Sequence, residues 1–536
     1  MDSNKCTITF IPDNISYEVR KGTLLADAAA HAGIRIDRHC GGAGVCGKCR
    51  VREITPGLLE PLTETEKKFF SPKEIQDGIR LSCCAAISGS GTVEVIDIVS
   101  SSGHQILKGF SKDTPITWQP DKGGYGIAVD IGTTTVVCCL ADLSRHKELD
   151  SYSFLNPQVS FGDDVISRIA FSSQPEGLTR LQNAITKEMD CAIGVLAEKN
   201  HLAKEEITEI VIAGNTVMEH LFVGVSPEAI GRSPYKPEFL THEPIKAQSI
   251  GLNISTDGIV KMLPNVAGYV GADIVAGVAA LGMDKEPKMR LLVDIGTNNE
   301  IVIGSEKGMF CCATAAGPAL EGARILYGMR ASTGAIEKVS LGENGLEYKT
   351  IGGAQAKGLC GSGLVDAIAL LVKNKIINKS GRMQKHEECL DPRIKSRLGT
   401  DANGMVRFLL TDTENPVYLT QKDIREVQLA VGAIKVGIEV MLENQGINLE
   451  EVDEVLLAGA FGNNIDIESA IVVGLLPNVE HHKIIGVRNS SGYGAFLSLA
   501  SADFCASAQT AMEKMQYVEL STLPDFQKRF VSAMLF

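Results

Sequence analysis

Apolar and polar residues alternate along CTITFIP (6–12) and again along ISYEVRKG (15–22), which predicts two strands around an Asp13-Asn14 turn. TLLADAAAHAGI (23–34) then shifts to helical spacing and stops at Gly33. Further on, two apolar runs repeat each other. GIAVDIGTTTVVCCL (126–140) and RLLVDIGTNNEIVIG (290–304) share Val-Asp-Ile-Gly-Thr in register, 164 residues apart. Each reads as strand, tight turn, strand. EIVIAGNT (209–216) and EVLLAGAFGN (454–463) form a second echo, both strands ending in Ala-Gly. From aspartate to Ala-Gly glycine the first copy spans 84 residues and the second 165, so an inserted subdomain is expected in the second. GSGL (361–364) opens a predicted helix VDAIALLVK. Thr420 and Asp423 form a capping-box pattern before VQLAVGAIKVGIEVML (427–442), whose Gly432 and Gly437 imply close packing.

The 536 residues suggest three or four domains, and 44% hydrophobic with 22% charged residues is a globular composition. With 52 Lys plus Arg against 65 Asp plus Glu, the net charge of −13 argues against a nucleic-acid partner. The opening MDSNKCTITF lacks the pattern of a signal peptide and no 18 apolar residues run uninterrupted, so a soluble cytoplasmic protein without a membrane partner is expected. Residues 99–122 mix Ser, Gly, Pro and charge without a period and read as a linker. Fourteen cysteines are too few for a disulfide scaffold. Most, including the pairs Cys138–Cys139 and Cys311–Cys312, read as small buried thiols.

Four cysteines stand apart. Cys40, Cys46 and Cys49 follow C-x5-C-x2-C spacing, and RLSCC supplies a fourth thiol at Cys83 or Cys84. Three thiolates on a short glycine-rich loop plus a distant one suit a [2Fe–2S] cluster. Gly41, Gly42, Gly44 and Gly47 would let the loop wrap with positive φ. The alternatives are a zinc site, which prefers paired C-x2–4-C knuckles, or a plain surface loop. Strand–strand–helix before the cysteine loop resembles the β-grasp ferredoxins of the plant and adrenodoxin type. That resemblance makes Cys83 the fourth ligand, with Cys84 where the family normally has Gln.

The DIGT turns carry their own chemistry. An apolar strand delivers an aspartate, glycine permits close backbone approach, and the threonines offer hydroxyls and N–H groups to phosphate oxygens. Asp130 and Asp294, if facing one another, could hold Mg²⁺ largely through waters. A tight hairpin with an Asx turn is the alternative for each copy. Together, the two turns and the LLAGAFGN strand resemble the ATPase superfamily of actin, sugar kinases and large heat-shock chaperones. The resemblance implies a two-lobed actin-like (ribonuclease H-like) region with duplicated halves. It makes Gly132, Thr133, Thr134 and Thr135 the first phosphate loop, and Gly296, Thr297 and Asn298 the second. Gly459, Ala460, Phe461 and Gly462 become the adenosine loop, and SSGYGA (490–495) the final hinge motif. AAGPALEGARI (315–325) and GLCGSGLVDAI (358–368) are either phosphate or partner contacts or simple helix starts. Glu321 is a candidate for orienting water or metal.

A ferredoxin module fused to this ATPase closely resembles the reductive activators of corrinoid proteins. NPQVSFGDDVISRI (156–169), AGNTVMEHL (213–221) and LPNVAGYVGAD (263–273) carry the likeness. The chain departs from the family at Asn299, commonly Gly, and in doubling the cysteine at 83–84. The resemblance implies a multidomain protein of α+β and α/β class. Its parts would be a [2Fe–2S] domain over 1–98, the linker, a first ATPase half over 123–288 and a second over 289–536. It implies ATP, Mg²⁺ and the cluster as cofactors, with Asp130, Asp294 and Glu321 as catalytic groups. The activity implied is ATP-dependent transfer of one electron that returns a corrinoid protein of a methyltransferase system from Co(II) to Co(I). The cluster would be fed by a separate reductant or reductase, and a homodimer is compatible. Two other classes remain open: a ferredoxin-type carrier with a non-hydrolysing nucleotide module, and a small-molecule kinase with the cluster as redox sensor.

Overall fold

The structure, a computed structural model, describes residues 5–536 except 13, 33, 35, 37–43, 45–46, 48, 71, 97–122, 146, 297, 315, 323, 402–403 and 460–463. The chain divides into two compact units, Met1–Ser102 with Leu155–Ile185, and Gly103–Phe154 with Thr186–Phe536. The expected linker, 99–122, lies outside the described residues.

In the N-terminal unit, Lys5–Ile11 pairs antiparallel with Ile15–Arg20 and parallel with Gly91–Val95. Asn14 takes φ 55° at the predicted turn, a conformation asparagine tolerates. Arg50–Glu53 and Ile79–Leu81 complete a five-stranded sheet. Alternate inward residues such as Ile8, Phe10, Val51, Leu81 and Val93 are fully buried together with Leu25, Ala28 and Ala29 of helix Leu25–His31. Arg80 makes ionic contacts inside this core, with Glu66 and, at 3.5 Å, with Glu53. Glu66 of helix Glu64–Phe69 accepts from Arg80 Nε at 2.9 Å and from the Leu81 backbone N–H at 3.0 Å, both through Oε1. Its Oε2 accepts from Arg80 Nη2 and from Thr63 N, closing a capping box.

The larger unit contains two six-stranded sheets built alike. In the first, Tyr125–Ile131 forms a hairpin with Thr135–Asp142 and runs parallel to Ile207–Gly214. In the second, Arg290–Ile295 forms a hairpin with Asn299–Ser305 and runs parallel to Glu454–Ala458. The repeat holds to the residue: Asp130 pairs with Ala213, and Asp294 with Ala458. Helices Ala272–Ala280 and Ser490–Ala500 share one core with both sheets, joining Ala128 and Ala213 of the first to Leu292 and Ala458 of the second. The two helices approach backbone to backbone. A Cβ on Gly494 would stand 2.3 Å from the Ala276 carbonyl oxygen, and one on Gly277 2.8 Å from Ser490 Oγ.

The expected insertion is present between the second hairpin and Glu454. It holds two three-stranded sheets and helix Gly361–Lys373, which GSGL does open. Helix Gln421–Gln445 begins with the Thr420–Asp423 capping box, and its Gly437 faces Ile301 Cδ1 at what would be 2.5 Å from a Cβ. Cys138, Cys139, Cys311 and Cys312 are fully buried, whereas Cys191 is exposed. Among the described residues no helix is long and apolar enough to cross a membrane.

Candidate functional site

Both DIGT turns open onto one cavity of ≈ 190 Å³ in the larger unit. Asp130, Asp294, Glu321, Gly132, Thr133, Thr134, Thr135, Gly296, Asn298 and Gly459 all line it. Thr297, Ala460, Phe461 and Gly462 lie outside the described residues.

The first turn is closed by the Gly132 N–H donating to the Thr135 carbonyl at 3.0 Å. A Cβ on Gly132 would sit 2.6 Å from that oxygen, so only glycine fits. Asn215 caps helix Thr216–Val223 through the Met218 N–H and donates from Nδ2 to Thr133 Oγ1 at 3.0 Å. Thr134 Oγ1 donates to Glu321 Oε2 at 2.9 Å, linking the two halves. Asp130 accepts from Asn489 Nδ2 and Ser491 Oγ, each at 2.9 Å, at the start of helix Ser490–Ala500. On the other side Gly459 takes φ +86°, and a Cβ there would lie 2.5 Å from both Asp294 Oδ1 and the Ile295 carbonyl. The Ala-Gly ending thus makes room for the aspartate of the neighbouring strand.

Sequence reasoning missed two acids. Glu300 pairs with Asp294 where the first copy pairs Val137 with Asp130, so the duplication is broken by one charge. Asp273 stands in the first turn of helix Ala272–Ala280 and also lines the cavity. Burial pushes Asp130 up to about 6. Burial, then the nearby Asp130, pushes Asp294 up to about 7. Asp273 and Glu300 are raised by burial and by the other acids around them. A carboxyl whose pKa is raised on folding binds its proton more tightly in the folded state. Stability therefore falls as pH climbs from roughly 4, the unfolded value, through the folded values. A bound cation would remove that cost.

Asn299, the departure from the expected glycine, is fully buried and begins the strand Asn299–Ser305. It is not among the residues with positive φ, so the turn does not need the left-handed conformation there.

In the N-terminal unit Cys40 and Cys46 lie outside the described residues. Cys49 and Cys83 are buried with their sulfurs 3.2 Å apart, and the half-buried Cys84 sulfur lies 3.7 Å from that of Cys83. Gly44 and Gly47 take φ +71° and +69°, and a Cβ on Gly47 would press into Phe69 at 2.7 Å. Contact with Cys49, then burial, pushes the Cys83 thiol well up. Two buried sulfurs at this spacing become thiolates only beside a cationic centre, which fits the residues to an iron–sulfur cluster. If Cys83 rather than Cys84 is the ligand, Cys84→Ser keeps the visible absorbance of the purified protein. Cys83→Ser bleaches or shifts it, and the reverse pattern would reassign the ligand.

Comparison with known proteins agrees with this geometry. Residues 8–88 match the 2Fe-2S iron-sulfur cluster binding domain, 125–286 the RACo middle region, and 288–536 the C-terminal domain of RACo, the ASKHA domain. The corrinoid activation enzyme RamQ of Eubacterium limosum is 32% identical, with 97% of each chain covered. The chain belongs to the RACo family. A solved structure of the same kind, a reductive activator for corrinoid, iron-sulfur protein, has 31% identity and a TM-score of 0.70, covering 99% of this chain and 98% of that one. A [Co(II) methylated amine-specific corrinoid protein] reductase of Methanosarcina barkeri is 24% identical over 68% of each chain. As a RACo-family protein the chain carries a ferredoxin-type domain followed by an ASKHA-type nucleotide-binding region, the order its cysteine and DIGT motifs imply.

Proposed function

We propose that this protein reduces the inactive Co(II) state of a corrinoid methyl-transfer protein to Co(I), coupled to ATP. The observation that carries the reading is one chain holding both the buried Cys49–Cys83 sulfur pair and a carboxylate-lined cavity between two DIGT turns. The names of the relatives, a corrinoid activation enzyme and a Co(II) corrinoid protein reductase, support it.

When bound, the cluster supplies a one-electron donor, held by Cys83 and Cys49 with Cys40 and Cys46. A plant-type cluster near roughly −400 mV is strong but insufficient for this cobalt couple. Each ~59 mV uphill costs about 1.4 kcal/mol for one electron, so a gap of ~100–150 mV costs roughly 2.4–3.6 kcal/mol. A difference in affinity for the corrinoid protein between two nucleotide-dependent conformations covers that amount. In this reading Asp130 and Asp294 hold Mg²⁺ largely through waters. Thr133, Thr134, Thr135, Thr297 and Asn298 grip phosphates, and the segment from Gly459 to Gly462 faces the adenosine. Glu321, tied to Thr134 in this structure, orients water or metal.

The test is anaerobic: purified protein, a Co(II) corrinoid protein and a reductant, with and without MgATP, followed by Co(I) absorbance. ATP-dependent Co(I) formation is expected. Redox cycling of the cluster with no Co(I) from any of several corrinoid partners would overturn the reading.

A further inference from the structure

We propose that Arg488 binds the phosphate chain of the nucleotide, an assignment that rests on the nucleotide reading of the cavity given above. The described residues lining the cavity include five carboxylic acids, Asp130, Asp273, Asp294, Glu300 and Glu321, and a single base, Arg488. A nucleoside triphosphate entering such a lining meets like charge from those of the acids that are ionised, which Mg²⁺ cancels only in part. Neither DIGT turn carries a lysine or arginine. Cationic help has to come from elsewhere in the fold, and Arg488 is the group at hand.

Three observations converge on it. Its side chain is exposed and makes no hydrogen bond or ion pair with any described residue, although five acids line the same cavity. Its backbone has φ +56°, the left-handed region that arginine adopts only at a cost. The register of strand Ile484–Arg488 slips at this point, so that Ala458 faces Arg488 and Val487 is passed over. Bulges of this kind redirect a side chain, and backbone strain of this kind gathers at binding sites. The neighbouring residues are turned the same way, since Asn489 and Ser491 already reach Asp130 inside the cavity. Glycine or asparagine would relieve the backbone at position 488, and arginine stands there instead. A planar guanidinium with no partner among the described residues, lining an acidic cavity, is suited to bidentate contact with phosphate oxygens.

The test is calorimetric titration of the full-length protein with MgATP, MgADP and MgAMP. Arg488→Gln weakens MgATP binding roughly 10- to 100-fold, the effect of removing a charged hydrogen bond, with a smaller loss for MgAMP. Arg488→Lys recovers part of the loss. Arg488→Gly separates binding from folding: the melting midpoint of the nucleotide-free protein is not lowered, while its rise on adding MgATP shrinks. Arg488→Gln binding MgATP within about twofold of wild type would overturn the assignment. So would an Arg488→Gly protein that melts earlier without nucleotide yet keeps the full ATP-induced rise. Wild-type protein that binds no nucleotide removes the nucleotide reading and this assignment together. Arg488-dependent ATP binding without Co(I) formation leaves this assignment standing and removes only the corrinoid reading.

Discussion

Asp294→Ala lowers ATP turnover at least about 100-fold and leaves the visible spectrum of the cluster unchanged. The magnitude is that of losing one preorganised electrostatic group at a phosphoryl-transfer site. Asp294 sits at the end of a strand fully paired on both sides, to Glu300 and to Ala458, so its carboxyl is held without a flexible tether. Gly459 leaves that carboxyl the space a Cβ would take. Asp294→Asn keeps shape and packing and removes only the charge, so it should lose nearly as much turnover while melting, without nucleotide, at or above the wild-type temperature. Turnover of both variants near wild type would sink the proposed role. Loss of the cluster spectrum alongside turnover would show that the two functions are not separable.

Glu66→Ala acts on the other unit. It leaves Arg80, almost fully buried, with only the longer 3.5 Å contact to Glu53 as a carboxylate partner, and removing one member of a buried ion pair costs up to about 3–5 kcal/mol. It also frees the Leu81 N–H, two residues before Cys83, so the segment carrying Cys83 loosens with it. The expected result is bleaching of the visible absorbance at a markedly lower temperature or denaturant concentration, with ATP binding retained. Burial alone would raise the Glu66 pKa, but hydrogen bonds from Arg80, Thr63 and Leu81 outweigh it and the net shift is downward. The stability this group contributes is therefore present above its unfolded pKa and is lost as pH falls through the lower folded value. In Glu66→Ala that acid-dependent component disappears. Replacing both partners, Glu66→Leu with Arg80→Met, should recover part of the loss, because Arg80 is no longer stranded and only the longer contact to Glu53 is given up. A single variant as stable as wild type would show that the pair contributes nothing.

What could be read from the sequence was whatever is local in the chain. A strand, an aspartate and a glycine within five residues write their own turn, and writing it twice made Asp130 and Asp294 stand out. The capping box at Thr420–Asp423 and the buried cysteine pairs were legible for the same reason. Asp273 and Glu300 were not. Glu300 occupies an ordinary alternating position in a strand, and only sheet pairing brings it opposite Asp294. Asp273 reads as an acidic residue suited to a helix start, and its place among the other acids depends on how that helix packs. Arg488 gives no signal either, since nothing in VRNSS marks a left-handed arginine. Nor does composition suggest that Leu155–Ile185 groups with the N-terminal residues. These are facts of pairing and packing, which the order of residues along any one segment does not display.

The close approach of helices Ala272–Ala280 and Ser490–Ala500 has a mechanical meaning. Where Gly494 lies against Ala276 and Gly277 against Ser490, no long side chains interlock. At these points the helices touch backbone to backbone, while Tyr493, Phe496 and Leu497 pack with Val275 and Val278 in the core they share. The second helix begins at Asn489 and Ser491, which hold Asp130, so the floor of the cavity is joined directly to a contact that admits nothing larger than glycine.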